Sequence, residues 1–313
     1  MERIIGSYEG TQKGDLLVCL GGMHGNEIAG VRAIEEILRM LEREPGHNPN
    51  FVFTGKLVGL RGNTEAIRHG VRYMEEDLNR IFTPKIVADT LAAKAGGAPL
   101  LPERKQLIEL LGAIKQEVEA YGPKRLIVLD LHTTSAQGGI FAIPNHDPMS
   151  VEMAMQLHAP VIRGMLDGLQ GTVLHYFVTE NMGIETVAVC FESGQHYDPL
   201  SVRRAVAAIV NCLRSIGCVR KEDVENSHDA LLQNYSAALP RLADLFYVHH
   251  IEPSDHFSML PGFHNFQAIR KGERLAQDRQ GDILSPEDCH LLMPLYQSHG
   301  NDGFFLIKEA TTS

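Results

Sequence analysis

The stretch Asp15-Leu16-Leu17-Val18-Cys19-Leu20-Gly21-Gly22-Met23-His24-Gly25-Asn26-Glu27 decides how the chain folds. From Leu16 to Leu20 it is continuously apolar, which suits a strand covered on both faces in a parallel sheet. Glycines follow at once. Beyond them Ile28, Val31, Ile34, Ile37, Leu38 and Leu41 recur at three- and four-residue intervals, the pattern of an amphipathic helix packed on that sheet. His24 and Glu27 therefore sit on the turn between a strand and a helix.

The same organisation returns twice. A helical pattern from Glu103 to Ala120 feeds the apolar run Arg125 to Asp130, which ends in Asp130-Leu131-His132. A third run, Thr186 to Phe191, ends in Glu192-Ser193-Gly194, and Asp198-Pro199 then supplies an N-cap with proline at the first helical position. In open α/β sheets ligands bind in the crevice beyond the carboxyl ends of the strands. Residues far apart in sequence can converge there, so the separation of His132 from Glu27 (132 − 27 = 105 residues) is no obstacle.

Chemistry narrows what such a crevice would hold. Imidazole nitrogen and carboxylate oxygen are good zinc ligands, and two His plus one Glu leave a fourth position for water. His24, Glu27 and His132 are the candidate ligands. With 15 histidines in the chain a lone His-x-x-Glu pair arises by chance, and its bland reading is a solvated turn. What favours a metal is the context of glycines and strand ends. In the segment Arg72-Tyr-Met-Glu-Glu-Asp77-Leu-Asn79-Arg80, Asn79 and Arg80 could share a carboxylate as target, because a planar fork of donors matches one; a charged, solvated loop is the competing reading. Glu192, after a buried-looking strand and before Gly194, is a candidate general base.

The bulk numbers limit the alternatives. At 313 residues the chain exceeds the roughly 250 to 300 at which one core stops growing, so a large domain with a smaller one is expected. An excess of 39 acidic over 29 basic residues, net −10, argues against a nucleic-acid or anionic-membrane surface. Five scattered cysteines without CxxC spacing read as reduced, structural thiols. With no apolar leader-type segment and no spanning run, a cytoplasmic location is expected. From residue 219 the texture changes: Arg220, Lys221, Glu222, Asp223 and Glu225 precede short alternating segments and turns, which read as a mainly β unit over 219–313 after a first domain over 1–218.

Four blocks, Gly22-Met-His24-Gly-Asn-Glu27, Asp77-Leu-Asn79-Arg80, Asp130-Leu-His132 and Glu192-Ser-Gly194, occur in the order and comparable spacing of the succinylglutamate desuccinylase/aspartoacylase family, relatives of the zinc carboxypeptidases, which this chain resembles over about its first two-thirds. The resemblance implies an α/β fold with a zinc carboxypeptidase-like mixed sheet flanked by helices and a smaller, mainly β C-terminal domain. It implies one zinc ion per chain on His24, Glu27 and His132, with Glu192 as base and then acid. Arg72 resembles the arginine that polarises the scissile carbonyl, Asn79 and Arg80 the pair that holds the substrate carboxylate, and Asp77 the acid that orients a zinc-binding histidine. A homodimer is a further expectation of the resemblance. The tail also resembles a biotinyl/lipoyl-like barrel, but the turn His290-Leu-Leu-Met-Pro-Leu-Tyr lacks the lysine a carrier needs, which leaves a wall or lid over the cleft.

The implied activity is hydrolysis of a small acylated amino acid or related carboxylated amide. A zinc carboxypeptidase acting on short peptides, and a noncatalytic binding protein on the same scaffold, are the alternatives. Aspartoacylases carry a further arginine shortly before the catalytic glutamate; the interval Val178 to Glu185 has none, so N-acetylaspartate is not assigned. Tyr176 and His175 are read as packing rather than as acyl-pocket walls.

Overall fold

The computed structural model describes residues 1–224 and 227–310; Glu225 of the charged run lies outside the described residues. In chain order the strands are β1 (Ile4–Glu9), β2 (Gln12–Gly21), β3 (Thr54–Arg61), β4 (Arg125–Thr134), β5 (Phe141–Pro144), β6 (Val161–Arg163), β7 (Glu185–Gln195), β8 (Leu242–His250), β9 (Ser258–Met259), β10 (Ala268–Ile269), β11 (Arg274–Asp278), β12 (Gly281–Leu284), β13 (Cys289–Leu292) and β14 (Asp302–Glu309). Eleven of them make one mixed sheet in the order β1-β3-β2-β4-β7-β5-β6-β8-β14-β13-β10, and β12-β11-β9 forms a small second sheet. The expected α/β architecture is the one found.

The centre of the sheet is parallel, with β3, β2, β4 and β7 side by side. These are the three apolar runs of the sequence plus β3, and they are buried on both faces because helices cover both. Leu107, Leu110, Leu111 and Ile114 of the helix Pro102–Tyr121 pack with Leu16, Val18 and Val128 on one face. Ile34, Ile37, Leu38 and Leu41 of the helix Ala29–His47 join Leu17, Leu129 and Val189 on the other, together with the helix Ser201–Ser215. Each such leucine or isoleucine contributes about 1.5–3 kcal/mol on burial.

Two local features differ from the sequence reading. Asp198 caps a turn through the Leu200 amide, at 2.9 Å, and pairs with the buried guanidinium of Arg204, while the helix begins only at Ser201. The segment after residue 219 begins with a short 3-10 turn, Lys221–Asp223, and a helix, Ser227–Ser236, before any strand forms. Four of its strands, β8, β14, β13 and β10, then extend the main sheet, β8 pairing parallel with β6 and β14 antiparallel with β8, while β9, β11 and β12 form the small second sheet. Without β8 the short strand β6 would present an unpaired edge. That continuity carries the tail to the rim of the crevice.

Candidate metal centre and cleft

The glycines after β2 let the chain turn into the crevice. Gly22 takes φ 70°, which favours glycine, and at Gly25 a Cβ would collide with the Ala66 carbonyl. His24 and Glu27 are thereby held beneath the end of β2. His132 lies within β4 itself, which continues to Thr134, and its register partner on β7 is Glu192. His24, Glu27, Arg72, Asn79, Arg80, His132 and Glu192 all line one cleft.

Within that cleft Glu27 stands between the two imidazoles. His24 Nδ1 is 2.8 Å from Glu27 Oε1, and His132 Nδ1 is 2.9 Å from Glu27 Oε2. On the far side of each ring, His24 Nε2 is 3.0 Å from Asp77 Oδ1 and His132 Nε2 is 2.8 Å from Asp130 Oδ2. Each ring thus faces a carboxylate at both nitrogens, whereas a neutral imidazole has a single N–H to donate. A cation among the two Nδ1 atoms and the Glu27 carboxylate removes that conflict: it replaces the inner protons, while each Nε2–H still donates to its own acid. One donor atom from each of the three residues lies within 4.8 Å of the others, and all three residues are buried. The donor set, two nitrogens and a carboxylate, fits zinc.

The electrostatics mark a place that favours positive charge, which a bound cation would supply in place of protons on the imidazoles. Burial alone would raise the Glu27 and Asp77 carboxyls, but the neighbouring imidazoles, with Arg72 beside Asp77, outweigh it and hold both well below the usual carboxylate range. Burial likewise pulls His132 down, and Asp130 and Glu27 overcome it and hold that imidazole well above its ordinary value. A second grouping of Asp130, His132 and Cys190 is a poorer site. Asp130 is already engaged with His132, and burial pushes the Cys190 thiol well up, away from the thiolate a metal needs.

Glu192 is 5 % exposed, and its Oε2 has no hydrogen-bond partner among the described residues. Burial pushes its carboxyl up to about 8, with Glu27 and Asp130 adding to the rise and His132 and Arg72 opposing it. A carboxyl near neutrality, with one oxygen uncommitted and facing a cleft, can both take and return a proton.

The loop from Arg72 to Arg80 forms the opposite wall. Arg72 donates through Nε and Nη2 to Asp77 Oδ2, at 3.2 and 3.0 Å, and reaches Glu27 Oε1 at 3.4 Å through Nη1. Asn79 accepts from the Val173 amide through Oδ1, at 2.8 Å, while its Nδ2 has no partner among the described residues. Arg80 donates to the Asn79 carbonyl and, at 3.0 Å, to Asp302 Oδ2 at the start of β14.

Sequence reading missed what anchors this loop. Glu103, wholly buried in the first turn of its helix, accepts from Asn63 Nδ2 and from the Met74 amide through Oε1, and from the Glu75 and Glu76 amides through Oε2. An acidic residue at a helix start is ordinarily solvated, so nothing in the sequence marks it. Glu103→Gln replaces one acceptor oxygen by a donor facing backbone N–H groups and is expected to cost about 1–3 kcal/mol. An unchanged urea midpoint would contradict that reading.

His196, which proximity in sequence alone does not make a ligand, stands on the cleft wall with its Nδ1 2.7 Å from Thr133 Oγ1, and Asp130, not singled out in the sequence reading, is the acid behind His132. Met293, Leu295, Gln297 and Phe305 bring the tail onto the cleft. Neither His175 nor Tyr176 lines it; Thr172 and Leu174 do. The His249-His250 pair diverges, His249 stacking on Phe304 at 5.0 Å between centroids and His250 bonding to Asp302. Arg61 pairs with Glu35, away from the cleft.

A mixed sheet with polar side chains gathered beyond its parallel strands places the chain among α/β proteins of the zinc carboxypeptidase-like fold, with a candidate metal centre at the strand ends. It belongs to the succinylglutamate desuccinylase/aspartoacylase family, whose catalytic-domain model matches residues 13–216. A "probable aspartoacylase" of Nostoc sp. is 30% identical over 139 residues, 44% of this chain and 42% of that protein. An "N-acyl-aromatic-L-amino acid amidohydrolase (carboxylate-forming)" of Xenopus tropicalis is 28% identical over 212 residues, 63% and 60% of the two chains. The matches thus span less than two-thirds of those relatives' lengths. A crystal structure described as succinylglutamate desuccinylase/aspartoacylase from Rhodobacter sphaeroides shares the fold at TM-score 0.65 and 18% identity, over 96% of this chain and 88% of that one. Among the described residues no helix is long and apolar enough to cross a membrane.

Proposed function

We propose that this protein is a zinc-dependent amidohydrolase that cleaves an N-acyl amino acid or a similar small carboxylated amide, with residues 1–218 as the hydrolase unit and the tail as a wall of its cleft. The observation that carries the proposal is the convergence of His24, Glu27 and His132 on one point, with Glu192 uncommitted beside them in a cleft that also holds Arg72 and Arg80. A noncatalytic relic has no use for a buried carboxylate with a free oxygen.

His24 and His132 through Nδ1 and Glu27 through its carboxylate would hold the ion. Bound zinc can lower the pKa of water from about 15.7 to about 7 and polarise a carbonyl. The protein's own groups do the rest. Glu192 takes the proton of the attacking water at Oε2 and returns it to the departing amine, so that amine leaves neutral. Arg72, held by Asp77, presents a fixed positive charge where the carbonyl oxygen becomes negative. Asn79 Nδ2 and the Arg80 guanidinium orient the substrate by its carboxylate.

A hydrolysis screen of N-acyl amino acids and short peptides on the zinc-loaded protein tests the assignment. Release of a free amino acid from an acyl derivative supports it, whereas trimming of peptides alone would replace it with a carboxypeptidase. Arg80→Ala is expected to raise KM for the carboxylated substrate about 10- to 100-fold with kcat little changed, since a charge-assisted bond to a distant group acts on binding. Unchanged kinetics would place the substrate carboxylate elsewhere.

A further inference from the structure

The tail contributes one charged group to the cleft, Asp302, and its position bears on which substrates fit. This inference rests on the deacylase reading above. Asp302 Oδ2 is 3.0 Å from Arg80 Nη2, and its Oδ1 is 2.8 Å from His250 Nδ1, so the carboxylate is clamped at the mouth of the cleft with its side chain 9% exposed. It engages Nη2 of a guanidinium whose Nη1 already donates to the Asn79 carbonyl, so few N–H groups are left for a substrate.

The rest of the lining has little positive charge to spare. Among the described residues its arginines are Arg72 and Arg80, no lysine lines it, and its acids are Glu27, Asp130, Glu192 and Asp302. Arg72 is engaged by Asp77 and Glu27. Away from these groups the walls are mixed: Ile143, Leu166, Leu174 and Phe305 are apolar, while Thr133, Thr134, Ser135, Gln297 and Asn301 are polar but uncharged. One substrate carboxylate can share the remaining edge of Arg80 with Asn79. A second would find no further uncommitted arginine or lysine among the described lining residues and would be set against Asp302.

We propose that Asp302 is a specificity determinant that restricts the substrate to a single carboxylate, selecting acyl amino acids whose side chain and acyl group are uncharged. Selection of this kind works by building repulsion against the competitor as well as attraction for the substrate.

The pair N-acetyl-leucine and N-acetyl-aspartate, which differ by a second carboxylate on the side chain, tests it. In the zinc-loaded wild-type protein kcat/KM is expected to favour the leucine derivative at least about tenfold, and Asp302→Asn to shrink that ratio about tenfold by raising the value for the aspartate derivative. Calorimetric titration of free leucine and free aspartate, which needs no turnover, is expected to show the same order of affinity in the wild type and a gain for aspartate in Asp302→Asn. Wild-type preference for the aspartate compounds, or a ratio unmoved by Asp302→Asn, would overturn the inference while leaving the deacylase standing. Hydrolysis of no acyl amino acid at all would remove the deacylase reading and this inference with it. If Asp302→Asn fails to fold, the wild-type calorimetry decides alone: tighter leucine supports the proposal and tighter aspartate refutes it.

Discussion

Glu192→Gln is expected to keep its zinc and its fold while kcat falls by about a hundred- to ten-thousand-fold. The substitution preserves the shape of the side chain at its register position opposite His132, so strand β7 should pack as before. It removes the one property the role demands, an oxygen that can be protonated and deprotonated. Glu192 lies outside the three-residue ligand cluster, hence the expected separation of metal content from turnover. Elemental analysis and kinetics on the same preparation measure both. Near-normal kcat in the glutamine variant would remove Glu192 as the base, and a loss of zinc together with activity would recast it as a ligand.

Replacing a ligand should do the opposite. His24→Ala or His132→Ala would leave two donors where a catalytic zinc site uses three protein ligands, and would free an acid behind the lost ring, Asp77 or Asp130. The expected outcome is a fall in zinc affinity of at least about a thousandfold, with turnover absent at zinc concentrations that saturate the wild type. Because zinc would bind the folded chain in preference to the unfolded one, chelation should lower the melting temperature of the wild type and leave these variants unmoved. Full zinc occupancy in both variants would dismiss the ligand assignment.

How much of this was legible in the sequence depends on the range of the interaction. The apolar runs that became β2, β4 and β7 are local patterns with one solution, strands covered on both faces, and their ends located the crevice. His24 and Glu27 stood out because glycine turns flank them, and His132 because it ends an apolar run. Their convergence with Glu192 follows from parallel neighbours in the sheet, which the strand-helix alternation implied. Asp302 and Arg80 are 222 residues apart, and only the antiparallel β8–β14 pairing brings them together. The tail gave no warning of this, since its short alternating segments suit a separate β unit as well as an extension of the main sheet. Glu103 was hidden for a different reason: its four partners include three backbone amides, and backbone groups leave no mark in a sequence.

The central claim is that a metal held by His24, Glu27 and His132 makes this protein a deacylase, and titrating zinc into the chelated protein while following hydrolysis of an N-acyl amino acid tests it most directly. Turnover should be absent without metal, rise linearly and level off at about one equivalent per chain. Turnover undiminished in the metal-free protein, or none at any amount of zinc, would contradict it.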